Sequence, residues 1–205
     1  MKQVFLSSLA IFLLSCGRTL PIEIFVEDSW QDDEAAAISK AIEGWNQVGA
    51  LMNDPGPVFI EAGRAPDRYS REKTGDGRSV VYRLTGHPSF RLSKPLESAE
   101  GWQEGDDVAI ALYMFPSEFP GSDGERHPSA VDQRTLYLRH LTALSLHEFG
   151  HLLGFGHVDS EYSVMCSDPS CYKLGPKPKD PLDWPEPKKV TEYDIGRFCR
   201  TYGCR

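Results

Sequence analysis

The sequence predicts an α+β domain: a twisted mixed β-sheet, a helix over about residues 139–153 and a second helix near the C-terminal end. Three observations predict it. Near the start an alternating apolar segment runs directly into an amphipathic one. Three more strand-like segments follow between residues 57 and 115, and beyond 135 the apolar spacing turns helical. At 205 residues the chain suits one domain, taken to span 17–205 after a leader.

Each element has its own signal. In "LPIEIFVEDS", Ile22, Ile24 and Val26 fall on one side and Glu23 and Glu27 on the other, the pattern of a half-buried strand. Ser29 then precedes the acidic turn of Asp32, Asp33 and Glu34, which suits a helix start. Ile38, Ala41, Ile42, Trp45 and Val48 continue at helical spacing up to Gly49. "PVFIEAG" (57–63) and "SVVYRLTG" (79–86) read as strands, and "DDVAIALYMF" (106–115), the most apolar, as the central one. "TLYLRHL" (135–141) reads as a strand or as the approach to the helix of "LTALSLHEFGHLLGF". Tyr193, Ile195, Phe198 and Tyr202 are spaced for a closing helix capped by Thr191.

The first sixteen residues read as a leader. Lys2 supplies a positive start, and Val4 to Leu14 is apolar except for Ser7 and Ser8, too short a run to span a bilayer. "LLSCG" (13–17) resembles a bacterial lipobox, which implies lipidation of Cys16 and an exported protein anchored to the bacterial cell envelope. An ordinary secretory signal with an incidental cysteine is the alternative. Removing Lys2 with the leader takes the formal net charge from −8 to −9. A balance this acidic argues against a nucleic-acid partner, since phosphate binding needs a basic surface.

Four cysteines remain, Cys166, Cys171, Cys199 and Cys204, an even number in an exported chain. Three pairings are possible. The local pairs 166–171 and 199–204 are favoured over cross-pairing. They are also favoured over a second zinc site, because the spacing is not CxxC and export favours oxidation.

The chemistry is concentrated in "HEFGHLLGFGH" (147–157). On a helix His147 and His151 stand one turn apart on one face and can share an ion. Glu148 lies beside the first, placed to reach a water without being a ligand. Gly154 allows a turn that brings His157 back as a third ligand, leaving a fourth position open. This predicts one catalytic zinc on His147, His151 and His157, with the Glu148 carboxylate in reach of its water. His127 and His140 read as ordinary loop or strand histidines.

With His147, Glu148, His151, Gly154 and His157 all in place, the chain resembles the metzincin clan of zinc endopeptidases. Met165, eight residues after His157, matches the clan's Met-turn at a spacing similar to the matrixin branch, the matrix metalloproteinase type. "YDIGRFCRTYG" resembles the matrixin C-terminal helix through Asp194, Ile195, Tyr202 and Gly203, and "LTALSLHEFGH" resembles the approach to the active helix. The close resemblance covers about residues 136–203. Tyr193 departs from it, standing where matrixins carry the first aspartate of a pair. The histidine pattern of the matrixins' structural zinc is not found, and "GSDGE" (121–125) reads as a solvated turn rather than a Ca2+ site.

The resemblance implies a zincin-like domain that hydrolyses peptide bonds in a protein or peptide substrate. Met165 would be a packing floor, an edge strand would align the peptide, and residues 166–190 would wall the side-chain pocket. The chain is expected to be a monomer with a membrane contact through its lipid. The other class of function is a lipid-anchored zinc-binding surface protein without turnover. Glu148 speaks against that, since binding alone needs no carboxylate beside the water.

Overall fold

The computed structural model describes residues 18–65, 78–84, 101–111, 130–160, 162–166 and 189–205. The leader, Cys16, Cys171, His127, the 121–125 turn and most of the 166–190 segment lie outside the described residues. In chain order the elements are β1 (Ile22–Glu27), α1 (Asp32–Gly49), β2 (Phe59–Ala65), β3 (Ser79–Leu84), β4 (Gly101–Glu104), β5 (Asp107–Ala111), α2 (Ala130–Leu152) and α3 (Glu192–Tyr202). Among these residues no helix is long and apolar enough to cross a membrane.

The five strands form one mixed sheet in the order β2-β1-β3-β5-β4. The β1–β2, β1–β3 and β3–β5 pairs are parallel, and only β4 runs antiparallel, against β5. The middle strand is therefore β3, which corrects the central placing of the 106–115 segment. Its apolar character comes instead from being covered on both faces: Val108, Ala109 and Ile110 are all buried. β4 escaped the sequence reading because four residues, "GWQE", show no usable alternation. Among the described residues it is an edge strand, paired by the sheet on one side only.

α1 buries Ile38, Ala41, Ile42, Trp45 and Val48, the face its spacing predicts. Its cap is Gln31, not the Ser29 region. Ser29 Oγ donates to Glu27 Oε2 at 2.8 Å instead, and Glu34 Oε2 accepts from the Gln31 N–H at 2.9 Å. Glu27, placed by alternation on the polar side, is buried, and its Oε2 also accepts the Arg83 N–H at 2.7 Å. A buried carboxylate keeps its charge only with such partners.

α2 begins nine residues before the expected 139, so "TLYLRHL" is helix, and His140 stands on a helix rather than a strand. The reason is long-range. Arg134 Nη1 reaches Glu34 Oε1 at 3.2 Å and its Nε reaches Asp33 Oδ2 at 2.9 Å, while the Tyr137 hydroxyl donates to Glu34 Oε1 at 2.6 Å. These residues, followed by Leu138 and Leu141, form a 3.6-period face toward α1 that an apolar count misreads as alternation. Further along, Trp45 Nε1 donates to Leu146 O at 2.9 Å and Thr142 Oγ1 to Ala37 O at 3.0 Å, locking the two helices together. α2 also packs on β4 and β5, which sets Leu144 and Glu148 against the start of β4.

α3 is capped by Thr191 as its sequence predicts, and Gly203 follows it at a φ of 80°. Cys199 and Cys204 form a disulfide, the local pair favoured above. It folds the chain end back onto the turn after α1, where Met52 pairs with Cys204 and the Arg205 N–H donates to Leu51 O at 3.2 Å.

Candidate metal centre

His147 and His151 lie on the last turns of α2, one buried and one half-buried. The helix stops in a Schellman motif: the Gly154 N–H donates to His151 O at 2.8 Å and the Phe155 N–H to Gly150 O at 3.0 Å. Gly154 sits at a φ of 82°, a conformation costly for any residue with a Cβ. The chain therefore reverses and carries exposed His157 back toward the helix. His157 Nε2 comes to 3.1 Å from both His147 Nε2 and His151 Nε2. The three sequence-predicted ligands thus meet, and among the described residues they are the one group of His, Cys, Asp or Glu side chains placed to hold a metal ion.

The second nitrogens decide what the first can do. His147 Nδ1 lies 2.7 Å from Val164 O, and His151 Nδ1 lies 2.8 Å from Phe155 O. A carbonyl only accepts, so each Nδ1 carries the proton and donates it. In the neutral rings both Nε2 atoms then present lone pairs to the same small space. One proton on His157 cannot serve both well, whereas a cation bound by all three nitrogens satisfies every ring. Burial, the largest influence, holds His151 below its usual pKa, which favours the neutral ligand form.

Val164 belongs to a turn that also delivers Met165. The Val158 N–H donates to Met165 O at 3.1 Å, tying the strand after His157 to this turn. Met165 is fully buried below α2, and a Cβ added at Gly150 would stand 2.1 Å from its sulfur. Gly150 is thus the space through which the methionine approaches the histidine pair. The sequence reading missed it; a helix-interior glycine, which costs about 1 kcal/mol against alanine, is the signal that could have found it. Cys166, next in line, is buried and disulfide-bonded.

α3 holds both ligand-bearing segments. The buried Asp194 carboxylate accepts the Ser163 hydroxyl at 2.5 Å and the Val164 N–H at 3.1 Å, and it caps its own helix through the Thr191 N–H at 3.1 Å. The chain of contacts therefore runs from Asp194 through the Val164 peptide to His147. One turn on, Arg197 Nη1 and Nη2 both donate to Gly156 O at 3.2 Å, beside His157, with the guanidinium 5.1 Å from the Phe155 ring centre. The Tyr202 hydroxyl donates to Leu153 O at 3.0 Å, at the end of α2. Tyr193, where the aspartate pair would begin, is exposed. Sequence reading linked Asp194 to a helix pattern but not to His147, and it passed over Ser163 and Arg197.

No family model matches the chain, and no curated protein matches it.

What the centre can do follows from its own donors. Glu148 lies outside the histidine cluster, is 2% exposed, and its buried Oε2 has no hydrogen-bond partner among the described residues. A buried oxygen without a partner is costly, and it marks a place for a donor such as water. Burial pushes this carboxyl up to about 8 from an ordinary 4.5. In metal-free protein the folded state therefore keeps a proton that the unfolded chain has released. The stability this group contributes is fully present below about 4.5 and is lost as pH rises toward about 8. We expect chelator-treated protein to lose Tm relative to Glu148→Gln between about pH 5 and about pH 8, by roughly 5 °C or more. Parallel Tm profiles of the two proteins would show the Glu148 carboxyl to be an ordinary one.

Proposed function

We propose that the chain is a zinc-dependent endopeptidase with a zincin-like, matrixin-like metzincin domain. The observation that carries this is the convergence of three Nε2 atoms, two of them held unprotonated by carbonyls, with Glu148, the residue after His147, carrying a buried carboxylate oxygen that has no partner among the described residues. The donor set suits zinc: neutral imidazoles, three in number, with no fourth protein ligand among the described residues. A zinc ion held there supplies Lewis acidity, which makes water acidic near neutral pH and polarises a scissile carbonyl.

The remaining chemistry belongs to the chain itself. Glu148 accepts the proton of the attacking water on a carboxylate oxygen and delivers it to the leaving amine nitrogen. Met165 and Gly150 hold the helix face steady from below. β4, an edge strand among the described residues, offers main-chain donors and acceptors to an extended peptide. In this reading the protein is exported and tethered to the bacterial envelope through Cys16, and it acts as a monomer on protein or peptide substrates.

The test uses soluble protein from residue 17 onward and a mixed protein substrate, with and without a zinc chelator. We expect cleavage that chelation stops and added zinc restores, with one zinc per chain. One bound zinc and no cleavage of any protein or peptide offered would favour a binding role instead.

A further inference from the structure

We propose that Gly101, the first residue of β4, is a positioning residue that sets where the Glu148 carboxylate sits. Gly101 is not among the positive-φ residues, so its backbone does not demand glycine. Space does. A Cβ built there would stand 2.9 Å from Glu148 Oε1, 3.1 Å from Glu148 Cγ and 3.1 Å from Leu144 Cδ1. Leu144 and Glu148 are one turn apart on α2, so this face of the helix lies directly against the start of the edge strand. Glycine inside a strand weakens it, and commonly marks a place where another group approaches closely.

The direction of yielding follows from what surrounds the clash. On one side is main chain, held by the antiparallel pairing of Gly101 with Ile110. On the other is the end of a flexible but enclosed side chain, 2% exposed. An added methyl group therefore displaces the carboxylate rather than the strand. None of the three nearest atoms belongs to a histidine. The consequence is specific: a shifted proton acceptor with the metal ligands in place. A misplacement on the order of 1 Å can cost up to about a hundredfold in rate.

The kinetic part of this inference rests on the proteolytic reading above, and the steric part does not. The test is a double-mutant cycle on the full chain purified in detergent, using wild type, Gly101→Ala, Glu148→Ala and the double variant. Gly101→Ala is expected to keep one zinc per chain, to lower kcat roughly 10- to 100-fold with KM little changed, and to lower Tm by roughly 2 to 8 °C. In the Glu148→Ala background the same substitution should leave Tm unchanged or raise it, because the methyl group enters the space the carboxylate has left. Should Gly101→Ala fail to fold alone, recovery of folding in the double variant carries the same meaning. An equal Tm loss in both backgrounds overturns the contact, whether or not the protein cleaves anything. With cleavage present, an unchanged kcat or a loss confined to KM overturns the positioning role.

Discussion

Replacing Glu148 by alanine should leave zinc bound and lower kcat/KM by about 10²- to 10⁴-fold, the range for a lost general base. The separation of the two effects is the point. The three ligand nitrogens lie within 4.8 Å of one another, and Glu148 contributes none of them. Its carboxylate is instead enclosed between α2 and the start of β4, with Oε2 lacking a partner among the described residues. Zinc content measured on the dialysed variant, together with steady-state cleavage rates, checks both halves. Retained activity would remove Glu148 from the mechanism, and loss of zinc would make it a structural part of the centre.

The second large effect is expected at Asp194, far in sequence from the histidine helix. Asp194→Ala leaves the Val164 and Thr191 N–H groups without their acceptor and takes one away from the Ser163 hydroxyl. A buried donor so orphaned, as at Val164, costs about 1–3 kcal/mol and the part-buried Thr191 N–H less, so a total loss of roughly 2–4 kcal/mol is expected. That is a large share of the ~5–15 kcal/mol a domain has. The Val164 carbonyl, freed to drift, no longer fixes the His147 ring. Zinc affinity should fall about 10- to 100-fold, the usual scale for a lost outer partner of a ligand. Denaturant titration gives the first number, and competition against a chelator of known affinity gives the second. Asp194→Asn, which keeps one carbonyl acceptor, should fall between. Lost stability with undiminished zinc affinity would show that the turn at Val164 does not position His147.

The centre was legible because its geometry is local. Four residues is one helical turn, so the spacing of His147 and His151 already places two ligands together. A glycine three residues later permits the reversal that brings His157 back, and the structure shows it at positive φ. Thr191 as a cap and the 199–204 disulfide were readable for the same reason: each pairing spans only a few residues. The start of α2 was not readable, because what extends that helix back to Ala130 includes Arg134 and Tyr137 meeting Asp33 and Glu34, about a hundred residues away. The order of the strands and the short edge strand β4 were equally out of reach, since period and composition do not say which strand lies beside which.

The sequence by itself therefore determined the three-histidine cluster, the carboxylate next to it in the chain and the main helical faces. Each of these depends on separations that one turn of backbone converts into distance. Only the tertiary structure decided which residues hold that set in place: Asp194 through the Val164 peptide, Gly150 under Met165, and Gly101 against Glu148. Those pairings join segments up to 47 positions apart, as 148 minus 101 shows. Nothing in local spacing encodes such contacts, because they exist only once the helices and the sheet have packed.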